Sequence, residues 1–402
     1  LSSLSIFNQP LNNWDVSNVT NMSGMFYNAA AFNQALNNWN VSNVNNFESM
    51  FRGFFHPSAS TSFNQPLNNW DVSNAKNMSR MFERSSFNQT LNDWDVSSVL
   101  DMSFMFSLNT DFNQNINDWD VSNVNTFQAM FSGTVSFNQS LSDWNVISAK
   151  TMEAMFLGIS FNQSIDSWDV SSVQNMNFMF RNNSDFNQPL NNWNTSSLES
   201  TRFMFSNATS FNQNINSWDV SNVELMGAMF EYASSFNQPL DNWDVSNTTE
   251  LGAMFFDATS FNQDLSSWSF NEDVVLINFL SNSGLNQENY DLLLTSFDEQ
   301  NLQNKTLGAQ GLEYCNAAAR DNLINNKAWT INGDSQSTEC INPDFYIASN
   351  GVTCMCPDAN FGDTGTLTIN GVNKTFTKRT RAQLDAIIAN DQQDPEIALT
   401  CT

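Results

Sequence analysis

Seven aspartates stand at one position of a recurring segment, each between a Trp and a Val, and they are the residues best suited to chemistry. Carboxylates at regular spacing could bind Ca²⁺ through their oxygens, or two of them could serve as the acid and base of a glycosidase. They could also accept hydrogen bonds from turn N–H groups two residues further on, or be covered by a basic partner. These residues are Asp15, Asp71, Asp95, Asp120, Asp169, Asp219 and Asp244.

An enzymatic role is disfavoured because the same carboxylate returns in segment after segment, so that no pair is singled out. The sequence shows no glycine-rich phosphate loop, nucleophile elbow or Ser/His/Asp set, and its single His, His56, lies in an insertion. We therefore predict a protein that is not an enzyme and has no catalytic residues or cofactor. Calcium at the aspartate positions is the one cofactor left open.

The segment that positions these aspartates opens with Phe-Asn-Gln, which occurs eleven times. The step between successive copies is 24 or 25 residues, with one step of 31. A fixed period of this size is typical of a solenoid in which each repeat is one coil stacked on the next. The opening residues are Phe7, Phe32, Phe63, Phe87, Phe112, Phe137, Phe161, Phe186, Phe211, Phe236 and Phe261.

Apolar residues divide each repeat into two parts. Residues 11–16 alternate like a short strand, whereas Val19, Met22 and Phe26 stand three to four residues apart, which is helical spacing. We expect each coil to contain a short parallel strand, a tight turn and a short helical or 3₁₀ segment. The predicted fold class is a leucine-rich-repeat-like solenoid of about 11 coils with Trp, Phe and Met inside.

The Asn and Gln of Phe-Asn-Gln recur in every coil, and a Ser follows the aspartate position in nearly all of them. Paired strands lie about 4.8 Å apart, so identical amides of stacked coils can form hydrogen-bonded ladders. We interpret these amides as structural rather than catalytic.

The run W-D-V-S-N-V-x-x-M-x-x-M-F-x-x-x-x-x-F-N-Q resembles the BspA-like leucine-rich-repeat surface proteins of bacteria. The resemblance covers about residues 1–330 and involves many positions in each repeat. It implies a secreted or surface-anchored solenoid without enzymatic activity that acts in adhesion or protein contact. The expected location is therefore extracellular or on the cell surface.

The charge balance narrows the possible partners. The chain has 41 Asp and Glu against 14 Lys and Arg, a net charge of −27. Nucleic acids require a basic footprint, and anionic membrane surfaces also attract basic segments, so neither is expected. No stretch approaches the ~18 apolar residues of a membrane span. The first residue, Leu1, falls in the middle of a repeat, which predicts a processed or truncated piece of a longer polypeptide.

Changes in pattern predict three parts, namely a repeat solenoid over 1–284, its C-terminal cap over 285–334 and a small disulfide-bonded α+β module over 339–402. The five cysteines all lie between 315 and 401, which indicates disulfides and an oxidising compartment. We predict Cys315–Cys340 and Cys356–Cys401 bridges, although Cys354 could replace Cys356 as the partner of Cys401.

Finer patterns predict the elements of the two smaller parts. In the cap we expect helices over 290–294 and 316–326, a strand over 329–331, and a linker over 335–338. In the module, segments 366–369 and 374–377 flank Asn370-Gly371, which indicates a hairpin, and a helix is expected over 381–390.

Two surface features suggest interfaces. Phe54 and Phe55 lie in an insertion over 52–62, and the last module holds a basic cluster. We expect adhesion or contact with a protein, with a glycan also possible. The alternative is a structural subunit of an extracellular filament, in which this cluster meets the acidic repeats of another copy head to tail. The basic residues are Lys374, Lys378, Arg379 and Arg381.

Overall fold

A computed structural model describes residues 5–54, 61–300, 302–338 and 340, together with the strand segments 346–347, 354–355, 364–369, 372–378 and 400–401. The chain divides into two compact units, residues 1–335 and 336–402. The first unit contains all the repeats and the helices that follow them.

Successive repeats lie side by side and in parallel. One residue of each repeat forms a β-bridge with the equivalent residue of the next, from Asn21↔Asn46 at one end to Glu250↔Val275 at the other. Like segments of the chain therefore contact one another at the period found in the sequence, and the tandem repeat is confirmed.

A ladder of backbone hydrogen bonds extends from each bridge. Alternate N–H groups of one repeat donate to carbonyl groups of the next, so this part of the chain is satisfied by its neighbour rather than by itself. In the first repeat, Met22, Gly24 and Phe26 donate to Asn46, Glu48 and Met50 at 2.9, 2.8 and 2.9 Å.

The predicted helical segment is wrong, because these residues form overlapping turns. Met25 N–H donates to the Met22 carbonyl at 3.2 Å, and Gly24 and Asn28 have φ values of 60° and 57°. Each of these turns joins residues three apart in the sequence, which is close to the spacing of a helix and explains the misleading pattern. No helix or longer strand occurs between residues 5 and 286 where the structure is described.

The predicted strand over residues 11–16 is also wrong. Trp14 N–H donates to the Leu11 carbonyl at 3.0 Å, so the chain turns there. Bonds to the neighbouring repeat in this part involve side chains rather than a backbone ladder. The Trp39 indole donates to the Leu11 carbonyl at 3.0 Å, and the Asn43 amide donates to the Ser17 carbonyl at 2.7 Å. The parallel pairing expected for this segment lies in the ladder instead.

The core consists of stacked aromatic rings. Phe51 lies 5.5 Å from Phe26 and 5.7 Å from Phe82, with interplanar angles of 2° and 4°. The repeat tryptophans from Trp39 to Trp268 are only 1–3 % exposed, whereas Trp14 is 50 % exposed. Each fully buried Phe stabilises the fold by roughly 1.5–3 kcal/mol. The predicted inward orientation of these residues is confirmed from the second repeat onward.

Two helices and four short strands follow the last repeat. Helix α1 spans Gln287–Glu299 and α2 spans Ala317–Lys327. Strands β1 and β3 pair in parallel, and β2 pairs with β4. Both predicted helices are confirmed, but the predicted linker begins with a strand. The strands are β1 Thr306–Gly308, β2 Glu313–Tyr314, β3 Thr330–Asn332 and β4 Ser335–Gln336.

Buried polar contacts hold the two helices and β2 together. The Asp334 carboxylate accepts two 2.8 Å bonds from Arg320 and one 3.1 Å bond from the Tyr290 hydroxyl. The Asp291 carboxylate accepts the Cys315 N–H at 2.9 Å. Cys315 also forms the predicted disulfide with Cys340.

The second unit contains β5 Tyr346–Ile347, which pairs antiparallel with β6 Cys354–Met355. Its larger sheet pairs β7 Thr364–Ile369 with β8 Val372–Lys378 in antiparallel fashion, and β9 Thr400–Cys401 lies parallel to β8. This register confirms the predicted hairpin. The predicted helix over 381–390 and the Cys356 partner of the second bridge lie outside the described residues. Among the described helices, none has the length and apolar character to span a bilayer.

Candidate functional site

The seven repeat aspartates are exposed, and each accepts a hydrogen bond from the backbone two residues further on. Asp95 is representative, since its Oδ1 accepts the Ser97 N–H at 3.0 Å and the Ser97 hydroxyl at 2.6 Å. Of the alternatives for these aspartates, hydrogen bonding within a turn is therefore confirmed. Bonds from the following Ser hydroxyl and N–H lower the pKa of Asp15, Asp95, Asp169 and Asp244.

Asparagine serves equally well at the aspartate position. Asn40 Oδ1 accepts the Ser42 N–H at 3.2 Å, and Asn194 Oδ1 accepts the Ser196 N–H at 3.2 Å. The turn thus requires an oxygen acceptor rather than a negative charge. No group of three or more His, Cys, Asp or Glu side chains suited to a metal occurs in the part of the chain that the structure describes.

The Phe-Asn-Gln amides form the predicted ladder. Asn8 Oδ1 accepts the Asn33 N–H at 3.0 Å and the Gln34 side-chain amide at 2.9 Å, and the same pair of bonds recurs along the repeats. These amides satisfy backbone N–H groups where the chain bends and are structural.

One surface on which residue types vary from repeat to repeat is here called the ladder face. It is formed by residues 23–24 and 27–28 of the first repeat and their equivalents up to 277–278 and 281–282. Two of the four positions are left-handed in φ. The first left-handed position holds Gly24, Ser49, Arg80, Phe104, Ala129, Ala154, Phe178, Phe203, Ala228, Ala253 and Asn278.

Several ladder-face residues are bulky where the backbone favours glycine. Phe104, Phe178, Phe203 and Tyr232 have φ values of 57°, 60°, 55° and 57°. A left-handed conformation costs a side-chain-bearing residue roughly 1–2 kcal/mol, yet Gly24 shows that glycine fits the same fold. Strain of this kind is concentrated at functional sites, which makes the ladder face the candidate functional site.

A buried carboxylate surrounded by three guanidinium groups lies on the ladder face in the second and third repeats. The Glu83 side chain is 6 % exposed and lies 2.8 Å from Arg52, 2.8 Å from Arg80 and 4.0 Å from Arg84. The Arg80 guanidinium also lies 3.9 Å from the centre of the Phe104 ring. This cluster carries a net charge of +2 within strongly acidic repeats.

The predicted interface residue Phe54 lies beside this cluster. Its neighbour Gly53 donates its N–H to the Glu83 carbonyl at 2.8 Å, and Phe54 itself is 47 % exposed. Phe55 lies outside the described residues. Phe and Arg are both enriched at protein interfaces, so this part of the ladder face is a candidate contact surface.

A depression of about 380 Å³ interrupts the ladder face further along the chain. Three successive repeats contribute equivalent residues to it. It is lined by Arg181, Asn182, Ser206, Asn207, Glu231 and Tyr232.

Aromatic rings hold the Arg181 guanidinium beside this depression. It lies 4.9 Å from the Phe203 ring centre and 5.7 Å from that of Phe178, and these two rings stack 5.1 Å apart. The Arg181 Nε is buried without a hydrogen-bond partner, and none of the ion pairs found among the described residues involves Arg181. Its position is therefore fixed by stacking, while donors remain available to a ligand.

Four overlapping segments of the chain match a protein family described as "Mycoplasma protein of unknown function, DUF285". They are residues 1–85, 54–160, 144–230 and 191–292. The chain belongs to this DUF285 family. Together the matches span residues 1–292, which agrees with the tandem repeat. Neither the curated proteins nor the solved structures include a match to the chain.

The basic cluster predicted near the end of the chain lies beyond the DUF285 matches. Lys374 is exposed and Lys378 is half-buried on β8. Arg379 and Arg381 lie outside the described residues, so the head-to-tail contact inferred from them stays a prediction.

Sequence reasoning missed the ladder face of the DUF285 repeats, although a signal for it existed. Aligning the eleven repeats on Phe-Asn-Gln shows that residues such as Phe178, Arg181 and Tyr232 replace small or polar ones at equivalent positions. Variation between otherwise near-identical repeats indicates where a repeat protein binds rather than packs.

Proposed function

We propose that this chain is a non-enzymatic extracellular surface protein that mediates adhesion through the ladder face. The repeats would form a leucine-rich-repeat-like solenoid of the BspA type, with about 11 coils counted from Phe-Asn-Gln. The parallel bridges between equivalent residues and the resemblance of the repeat sequence support this fold class. The Cys315–Cys340 disulfide supports an oxidising, extracellular location.

One observation carries the proposal. Bulky residues such as Phe104, Phe203 and Tyr232 are held in left-handed conformations on the ladder face, where Gly or Asn would cost less. The buried positions of the same repeats hardly change. The surface thus varies between repeats at an energetic cost, whereas the core stays nearly constant. This difference fits selection for binding rather than for stability.

The partner is a protein or a glycan, and surface retention distinguishes them. Beads coated with the full chain would be passed over gelatin, amylose, cellulose, alginate and heparin surfaces. The ladder-face variant combines Phe104→Ala, Phe203→Ala and Tyr232→Asn. The matched control is Ile147→Ser, because Ile147 is 45 % exposed at the turn position where most repeats carry Ser.

We expect at least one surface to retain the wild-type beads, with retention reduced at least about tenfold by the ladder-face variant and unchanged by the control. Thermal unfolding of all three proteins verifies that they are folded. Equal retention of variant and wild type, or retention by none of the five surfaces, would overturn the proposal.

A further inference from the structure

We infer that the depression around Arg181 and Tyr232 is a binding subsite for a neutral sugar residue. The inference rests on the proposed function and specifies the ligand class for one part of the ladder face. It depends on the chemistry of the six lining residues, all of which belong to the described part of the chain.

The size of the depression suits a small ligand. Its volume of about 380 Å³ falls within the range of roughly 300–1,000 Å³ found for small-molecule sites. The equivalent ladder positions of the three preceding repeats hold Ser107, Leu108, Ser132, Gly133, Leu157 and Gly158. Those residues provide neither charge nor an aromatic ring, so the preceding repeats lack this site.

The lining residues provide both hydrogen-bond donors and acceptors. Arg181 offers only donors, Glu231 only acceptors, and the exposed Asn182 and Asn207 offer both. Each sugar hydroxyl both donates and accepts, so adjacent hydroxyls match such a mixture. A lone anion would use only the donors.

Internal bonds fix the orientation of these groups before a ligand binds. The buried Ser206 hydroxyl donates to Glu231 Oε2 at 3.0 Å, and the Asn207 amide donates to Asn182 Oδ1 at 3.1 Å. With the stacked Arg181, these contacts hold the polar groups in place, and a preorganised site loses less entropy on binding.

The charges and the aromatic ring favour an uncharged sugar. Arg181 and Glu231 oppose one another within one depression, and the chain as a whole carries −27, so no excess positive charge attracts an anion. Tyr232 is 44 % exposed and is held edge-on to Phe256, with ring centres 5.4 Å apart. Its exposed ring offers an apolar surface to the C–H groups of a pyranose.

Titration of the full chain with monosaccharide probes, followed by saturation-transfer NMR, tests the inference. The probes are the methyl glycosides of glucose, galactose and mannose, with sodium glucuronate and sodium sulfate as the charged alternatives. Single-site affinities are expected in the millimolar range, so each probe is titrated to ~50 mM.

We expect saturable binding of at least one methyl glycoside, weakened at least about tenfold by Arg181→Gln and by Tyr232→Ala. Tyr232→Phe, which keeps the ring, and Ile147→Ser should bind as wild type, and thermal unfolding verifies that every variant is folded. Absence of binding by all three glycosides, binding of only glucuronate or sulfate, or binding unaffected by both substitutions would refute the subsite. If no glycoside binds but Phe104→Ala abolishes bead retention, adhesion through the ladder face stands and only this inference fails.

Discussion

At the scale of single residues, the repeat relies on side-chain oxygens that complete turns. The aspartate position requires an acceptor, and both Asp95 and Asn194 supply one. The sequence alone indicated this role, because an Asx residue followed two positions later by Ser is a known turn pattern. The left-handed residues could not be recognised in the same way, because Phe and Arg seldom adopt that conformation.

The pKa of Asp95 tests the turn contact. The turn contact lowers the pKa of Asp95 below its ordinary value of 3.8. The contact therefore stabilises the fold above pH 3.8, and this stabilisation is lost as the pH falls through the folded-state pKa. Ser97→Ala removes the hydroxyl donor, so the pKa of Asp95 should rise towards 3.8. Carboxyl ¹³C NMR titration measures it, with the pKa of Asp169 as the internal control. A pKa of Asp95 unchanged by the substitution would contradict the assigned cause.

Two buried asparagines at equivalent positions should differ in their contribution to stability. The Asn109 amide donates to the Phe87 carbonyl at 2.9 Å, and its oxygen accepts the Phe112 N–H at 3.2 Å. Asn183 donates to the Phe161 carbonyl at 2.9 Å, but its oxygen has no partner. Asn109→Ala should cost about 1–3 kcal/mol and Asn183→Ala distinctly less. Thermal unfolding of the two variants compares them directly, and an equal loss would speak against this assignment.

At the scale of elements, the period of the repeat was predictable and its local conformation was not. Val19, Met22 and Phe26 have helical spacing, but overlapping turns that join residues three apart produce nearly the same spacing. The deciding factor is the neighbouring repeat, which accepts alternate N–H groups that a helix would bond internally. A single-repeat pattern does not contain that information. By contrast, α1 and α2 bond internally and were predicted correctly.

The ion pair of the two-helix region should contribute strongly to stability. Asp334 is 1 % exposed in its side chain and Arg320 18 %, so Asp334→Asn leaves a guanidinium without its charged partner. Removing one member of a buried pair typically costs about 3–5 kcal/mol. Arg202→Gln is the control, because the Arg202–Glu250 pair is 41 % and 28 % exposed and surface pairs contribute about 0–1 kcal/mol. Similar unfolding temperatures for the two variants would rule out this difference.

Alkaline pH should also act through this region. Burial, and then the nearby Asp334 carboxylate, raise the pKa of Tyr290 well above its ordinary value of 10.0. The unfolded chain therefore loses this proton near pH 10 while the folded chain retains it, so stability falls as the pH rises above 10. Tyr290→Phe should reduce that loss. Chemical unfolding at pH 8 and pH 11 measures it, and an equally steep loss in the variant would exclude Tyr290 as the cause.

At the scale of the whole molecule, a net charge of −27 opposes compaction. Screening by salt should raise the unfolding temperature between low and moderate ionic strength. If the aspartates serve only their turns, CaCl₂ and MgCl₂ at equal ionic strength should act alike, and EDTA should have no effect. Differential scanning calorimetry in the three solutions measures this. An unfolding temperature that CaCl₂ raises and MgCl₂ does not would support calcium binding by the aspartates.

The indole contacts between repeats have a consequence for how the gene can change length. Trp119 donates to the Leu91 carbonyl at 3.1 Å, and Trp144 donates to the Ile116 carbonyl at 2.9 Å. Excision of residues 112–136 would bring the Trp144 indole to the Leu91 carbonyl and leave each donor with an acceptor. Duplication or loss of whole repeats, but not of fractions of one, therefore preserves the bonding, and the span offered to a partner can evolve in units of one repeat.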